Sequence, residues 1–93
     1  MDEKCANKIF DILENFDFDK VEDVMKYLGW KWYTTVNSDS KVPSKDELRD
    51  KAKELLTIAV KEHATVSSGG FSAEYNEDDE LSLQFVLTEY FSF

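Results

Sequence analysis

The 93-residue chain carries one cysteine, Cys5, and one histidine, His63. A lone cysteine excludes an intramolecular disulfide framework, and one residue of each kind excludes a zinc site built from Cys and His ligands. One proline and three glycines leave no room for a flexible linker or a low-complexity tract. Hydrophobic residues at 42% and aromatics at 14% exclude wholesale disorder. No apolar run approaches the length needed to cross a bilayer, and the opening residues Met1-Asp2-Glu3-Lys4-Cys5-Ala6-Asn7-Lys8 hold no apolar signal core. The expectation is an intracellular, cytoplasmic protein with no membrane partner. The length predicts a single domain over residues 1–93.

Bases are missing from one third of the chain. After Lys61 come Glu62, Glu74, Glu77, Asp78, Asp79, Glu80 and Glu89, with no Lys or Arg among them, and the whole chain carries a formal charge of −9. A surface of this sign repels phosphate backbones and anionic lipid, which argues against direct nucleic-acid binding. Two readings remain. The charge keeps a small protein soluble, or it forms an acidic face that docks on a basic partner, including one whose groove normally holds nucleic acid.

Hydrophobic spacing orders the chain. Cys5, Ile9, Ile12, Leu13 and Phe16 share one face of a helix predicted over residues 2–15. A break at Phe16-Asp17-Phe18 precedes a second helix, with Asp19 as N-cap, Glu22 three residues on, Val21, Val24, Met25 and Leu28 buried, and Gly29 as C-terminal cap. The β-branched and aromatic run Trp30 to Val36 predicts a strand with Trp30, Trp32, Thr34 and Val36 on one face. A polar loop, Asn37 to Lys41, follows. Pro43 and the Ser44/Glu47 capping box open a third helix, with Leu48, Ala52, Leu55, Leu56, Ala59, Val60 and His63 on its apolar face. The period then switches to two. Phe71, Ala73 and Tyr75, then Leu81, Leu83, Phe85 and Leu87, predict a hairpin around the acidic turn Asn76-Glu77-Asp78-Asp79-Glu80. The expected fold is α+β, in the order ααβαββ, with a three-stranded, mostly antiparallel sheet and helices packed on one face.

Little of this points to catalysis. Cys5 and His63 could form a thiol–imidazole pair, but both fall on apolar helix faces and suit core packing or a helix end. Glu74 and Glu89 stand beside large aromatics, yet general acid–base work requires a carboxylate displaced by burial. The acidic turn lacks the spacing of a calcium loop, so a solvated hairpin tip that blocks edge pairing is the simpler reading. No cofactor and no metal is expected.

Two other features carry alternatives. Ser67-Ser68-Gly69-Gly70-Phe71 is either a tight turn opening a strand or a segment whose exposed N–H groups receive a ligand. With Trp32, Tyr33 and Tyr75 it gives a candidate small-ligand surface of Trp32, Tyr33, Ser68, Gly69, Gly70, Phe71 and Tyr75. The aromatic run Tyr90-Phe91-Ser92-Phe93 suits packing on the domain or a homo-oligomer interface.

Gly29-Trp30-Lys31-Trp32, Val42-Pro43-Ser44 with Glu47-Leu48-Arg49, Ser68-Gly69-Gly70-Phe71 followed by Ala73-Glu74-Tyr75, and Leu81-Ser82-Leu83 with Phe85-Val86-Leu87 carry a resemblance. The chain resembles, from Phe16 to Tyr90, a family of small hypothetical proteins of bacteriophages and prophages. The resemblance brings no assigned activity and no catalytic residues. It implies a phage context, in which small acidic proteins serve as inhibitors of host machinery, among them anti-CRISPR proteins and sponges that sequester immune nucleotides. Two functions follow as expectations. The first is a non-enzymatic inhibitor that meets a basic host protein through Glu74, Glu77, Asp78, Asp79 and Glu80. The alternative is a nucleotide-binding sponge built on the glycine turn and its aromatics, or an oligomeric accessory protein.

Overall fold

Three helices precede three strands in the computed structural model, which describes residues 3–35, 44–68 and 70–86. Helix α1 covers Glu3–Asn15, α2 Phe18–Thr35 and α3 Lys45–Glu62; strand β1 covers Thr65–Ser68, β2 Phe71–Tyr75 and β3 Leu81–Phe85. The sheet is antiparallel throughout, in the order β1-β2-β3. The fold is α+β as expected, but the element order is αααβββ and not ααβαββ.

The difference lies in two places. Trp30 to Thr35 continues α2 and forms no strand. Extending a nucleated helix adds one hydrogen bond per residue fixed, and β-propensity yields to context. Gly29 therefore lies inside α2 instead of ending it. The third strand comes from Thr65–Ser68, a segment not expected to be one. It pairs with β2 from Ser68↔Phe71 to Thr65↔Glu74, so the connection is only Gly69-Gly70. Such a short loop closes at little entropic cost. Gly70 sits at φ 90, which a residue with a Cβ avoids and a two-residue hairpin turn requires. The polar loop 37–41, Gly69, Leu87, Glu89 and the aromatic run after it lie outside the described residues.

The helix ends show how local chemistry sets boundaries. Asp17, not Asp19, caps α2: its Oδ1 accepts from the Lys20 N–H at 3.0 Å. Ser44 caps α3 as expected, accepting from the Glu47 N–H at 3.2 Å and donating to the Glu47 carboxylate at 3.3 Å. Glu22 of α2 adds a second cap from outside, accepting the Lys45 N–H at 2.8 Å, while the Lys45 ammonium reaches Asp19 at 2.8 Å. Two contacts thus tie the start of α2 to the start of α3.

At its other end α3 stops on His63, which takes the left-handed conformation at φ 51 and ψ 52. The N–H groups of His63 and Ala64 both close on the Ala59 carbonyl. His63 is therefore an exposed helix end and not part of the apolar face.

The core lies between the helices and one face of the sheet. Ile9 and Leu13 enter from α1, Phe18, Val21 and Val24 from α2, and Leu48, Ala52, Leu55, Leu56 and Ala59 from α3. The sheet contributes Phe71, Ala73 and Phe85. Phe71, 1% exposed, sits among Phe85 at 5.1 Å and Phe16 and Phe18 at 6.3 Å each. Each such buried side chain contributes about 1.5–3 kcal/mol of hydrophobic stabilisation. The opposite sheet face carries Thr65, Ser67, Ser72, Glu74, Ser82 and Gln84 and is polar. No helix among the described residues is long and apolar enough to cross a membrane.

Candidate functional site

The acidic turn joins β2 to β3 and is built around Asn76. The Asp79 N–H donates to the Asn76 carbonyl and the Asn76 N–H to the Glu80 carbonyl, both at 3.1 Å. The Asn76 side-chain oxygen accepts from the N–H groups of Asp78 and Glu80, both at 2.9 Å. Asp79 stands at φ 60. This is a type I turn followed by a left-handed residue, a common three-residue hairpin connection. Asn at its first position supplies the side-chain acceptor of an Asx turn.

The rest of the protein braces this turn from two sides. From α1, the Lys8 ammonium donates to the Asp79 carbonyl at 2.7 Å and lies 5.6 Å from the Tyr75 ring centroid. From the end of α3, His63 Nε2 lies 2.6 Å from the Asn76 carbonyl oxygen and 3.7 Å from Asp79 Oδ1. The His63 ring stacks on Tyr75 with centroids 4.4 Å apart. Cys5 reaches the same tyrosine, its Sγ 3.7 Å from the hydroxyl oxygen. Cys5 and His63 thus both contact Tyr75, one at the hydroxyl and one at the ring.

The carboxylates themselves face solvent. Glu74, Glu77, Asp78, Asp79 and Glu80 are all exposed. Glu74 accepts the Thr65 hydroxyl at 3.1 Å. Among the described residues, Glu77, Asp78 and Glu80 form no salt bridge; the pairs present are Lys26–Glu22, Lys45–Asp19, Arg49–Glu14 and His63–Asp79. Lys8 spends its charge on a carbonyl and a ring face. The negative charge of the turn is that of its exposed side chains. Among the described residues, no group of three or more His, Cys, Asp or Glu side chains is placed to hold a metal ion. What the arrangement offers is a braced turn backbone carrying exposed negative charge, and such charge steers an oppositely charged surface.

The second candidate surface is not assembled in the same way. Trp32 and Tyr33 belong to α2, which packs against α3. Phe71 is interior, and Ser68 and Gly70 sit at one end of β2 while Tyr75 ends the other. Four residue steps of strand carry the chain from Phe71 to Tyr75, about 13 Å. Sequence reasoning missed Lys8 and His63 as supports of the acidic turn, since no local pattern announces a contact between α1 and a turn near the other end of the chain. The role of Asn76 was open to reading from its place before four acids. Neither protein-family models, nor curated proteins, nor solved structures give a match to this chain.

Proposed function

We propose that this is a non-enzymatic binding protein that docks on a basic surface of a host protein through the β2–β3 turn, with Glu77, Asp78, Asp79 and Glu80 as the charged contacts and Glu74 beside them. One observation carries the reading: the turn is hydrogen-bonded internally and braced by Lys8 and His63, yet three of its acids are exposed and unpaired among the described residues. Solubility alone needs charge, but it does not need charge held in one geometry. A turn backbone held in place before encounter loses little entropy on binding, and the charge it carries favours fast, oriented association. The resemblance to small phage proteins supports a bacterial defence factor as the partner class and the bacterial cytoplasm as the place of action.

The experiment is a salt titration of partner affinity with the wild type and a Glu77→Lys/Asp78→Lys variant. Affinity should fall at least about tenfold between roughly 50 and 300 mM salt, and the charge reversal should weaken it by a similar factor. Affinity indifferent to both would dismiss the acidic turn as the docking surface.

A further inference from the structure

β1 is the open edge of the sheet. Among the described residues its only strand neighbour is β2, and α3 also packs against it. The Tyr75 N–H donates to the Ala64 carbonyl at 3.2 Å, which makes 64 and 75 a hydrogen-bonded pair. Antiparallel alternation then places 66/73 and 68/71 in the same class, and leaves Thr65/Glu74 and Ser67/Ser72 as the non-hydrogen-bonded pairs. Side chains approach more closely in that second class, and there the Thr65 hydroxyl meets Glu74 at 3.1 Å and the Ser67 hydroxyl meets Ser72 at 3.2 Å. The N–H and C=O groups of Thr65 and Ser67 therefore point away from β2, toward the open side.

Proteins protect such edges with lysine, proline, a bulge or a cover. Thr65-Val66-Ser67-Ser68 has no charge and no proline, and its register with β2 runs without a bulge. Its exposed side chains, Thr65, Ser67 and Ser68, are small hydroxyls that leave room for another chain. Glu74 presents a carboxylate beside this edge, where it accepts the Thr65 hydroxyl. A further strand would lie about 4.8 Å beyond β1. Glu74, on β2, lies two strand spacings or about 10 Å from such a strand, a gap that a lysine or arginine stem and the glutamate side chain span together. The acidic turn lies just past Tyr75, at the Thr65 end of the sheet, where it joins β2 to β3 one strand in from that edge.

We propose that the β1 edge receives an extended lysine- or arginine-bearing segment of the partner as a fourth strand, with its backbone on Thr65 and Ser67 and its cations on Glu74 and the acidic turn. This rests on the acidic-docking reading and adds to it a binding mode, in which main-chain hydrogen bonds give affinity and charge gives selectivity.

The probe is a fluorescein-labelled, amidated peptide, Lys-Thr-Lys-Val-Lys-Thr, with a second form N-methylated on alternate residues as a control of equal charge. Binding is read by anisotropy, and exchange of the Thr65 and Ser67 amides by NMR. The wild type should bind the first peptide, with exchange of those two amides slowed by at least about tenfold, and N-methylation should weaken binding by at least about tenfold. Ser67→Pro should do the same, because proline is tolerated on an edge where its N–H faced solvent. If that variant is unfolded by circular dichroism, the N-methyl peptide decides alone. No binding of the first peptide overturns the proposal. Equal binding of both peptides, lost on Glu77→Lys/Asp78→Lys, also overturns strand addition while leaving acidic docking in place. Binding that N-methylation abolishes but salt and charge reversal leave untouched sustains the strand and removes the acidic reading. Slow exchange of Thr65 and Ser67 without peptide, in a dimer that Ser67→Pro makes monomeric, means a second copy fills the edge and overturns the proposal as well.

Discussion

The imidazole of His63 lies on the ring of Tyr75, centroids 4.4 Å apart, where the end of α3, the start of β1 and the acidic turn converge. The same ring places Nε2 2.6 Å from the Asn76 carbonyl oxygen. His63 holds this position from a left-handed backbone at φ 51, which disfavours any residue with a Cβ. His63→Ala should lose the ring contact and the hydrogen bond while keeping the backbone penalty, a loss of about 1–2 kcal/mol. His63→Gly should recover about 1 kcal/mol of that. Urea midpoints of the two variants give the difference directly. Equal stabilities would mean that the backbone strain is relieved elsewhere.

Lys45 gives a pH signature. Its ammonium donates to Asp19, and this hydrogen bond, followed by the charge of Asp19, raises its pKa above the usual 10.5. A folded-state pKa above the unfolded one means stability that is complete below pH 10.5 and lost as pH rises through the higher folded value. Lys45→Gln should therefore lower the thermal midpoint slightly at neutral pH, with the gap to wild type closing above about pH 11. The group is exposed, so the effect is small. A gap that persists undiminished at high pH would assign it to the lysine stem and not to its charge.

Asp79 occupies the left-handed position of the acidic turn at φ 60, where glycine is the usual choice. Asp79→Gly should raise stability by about 0.5–1 kcal/mol despite the loss of its 3.7 Å approach to His63. Asp79→Val should lower it by at least that much, since a β-branched residue resists positive φ. Chemical denaturation of the two variants checks both signs. No gain with glycine would show that the carboxylate is part of what holds the turn.

Much of this architecture was open to reading in the sequence because it is specified locally. The Ser44/Glu47 cap, the Cys5, Ile9 and Leu13 face of α1 and the alternation of Phe71, Ala73 and Phe85 each lie within one element. The acids of the turn were legible from composition alone. What failed was longer in range. The aromatic and β-branched residues at 30–35 fit helix or strand equally by their own pattern, and the backbone there continues α2. Val66 is the sole apolar residue of β1, too little to show an alternation. Lys8 braces a turn 71 residues away, a contact that no spacing rule contains.

Gly29 tests the correction to α2. As a left-handed cap it would resist any side chain, whereas inside a helix alanine is favoured by about 0.8–1.0 kcal/mol. Gly29→Ala should accordingly raise the thermal midpoint by a few degrees and leave or increase the helical circular dichroism signal. A fall in both would restore a helix end at residue 29 and return the following residues to an extended conformation.

The acidic turn makes a prediction in which stability and binding part company. Glu77 and Asp78 have no cation to pair with among the described residues, and their side chains contribute no hydrogen bond to the turn, which is held through Asn76 and the backbone. Mutual repulsion between them can only weaken the fold. Glu77→Gln/Asp78→Asn should therefore change stability by no more than about 0.5 kcal/mol, in the stabilising direction, and should reduce the stabilising effect of added salt. Partner affinity should fall in the same variant. If stability instead drops by more than about 1 kcal/mol, these carboxylates serve the fold, and their exposure no longer argues for a partner. Neutral stability with lost binding is what a surface held ready for another molecule requires, because only the complex then benefits from charges that the isolated chain would be better without.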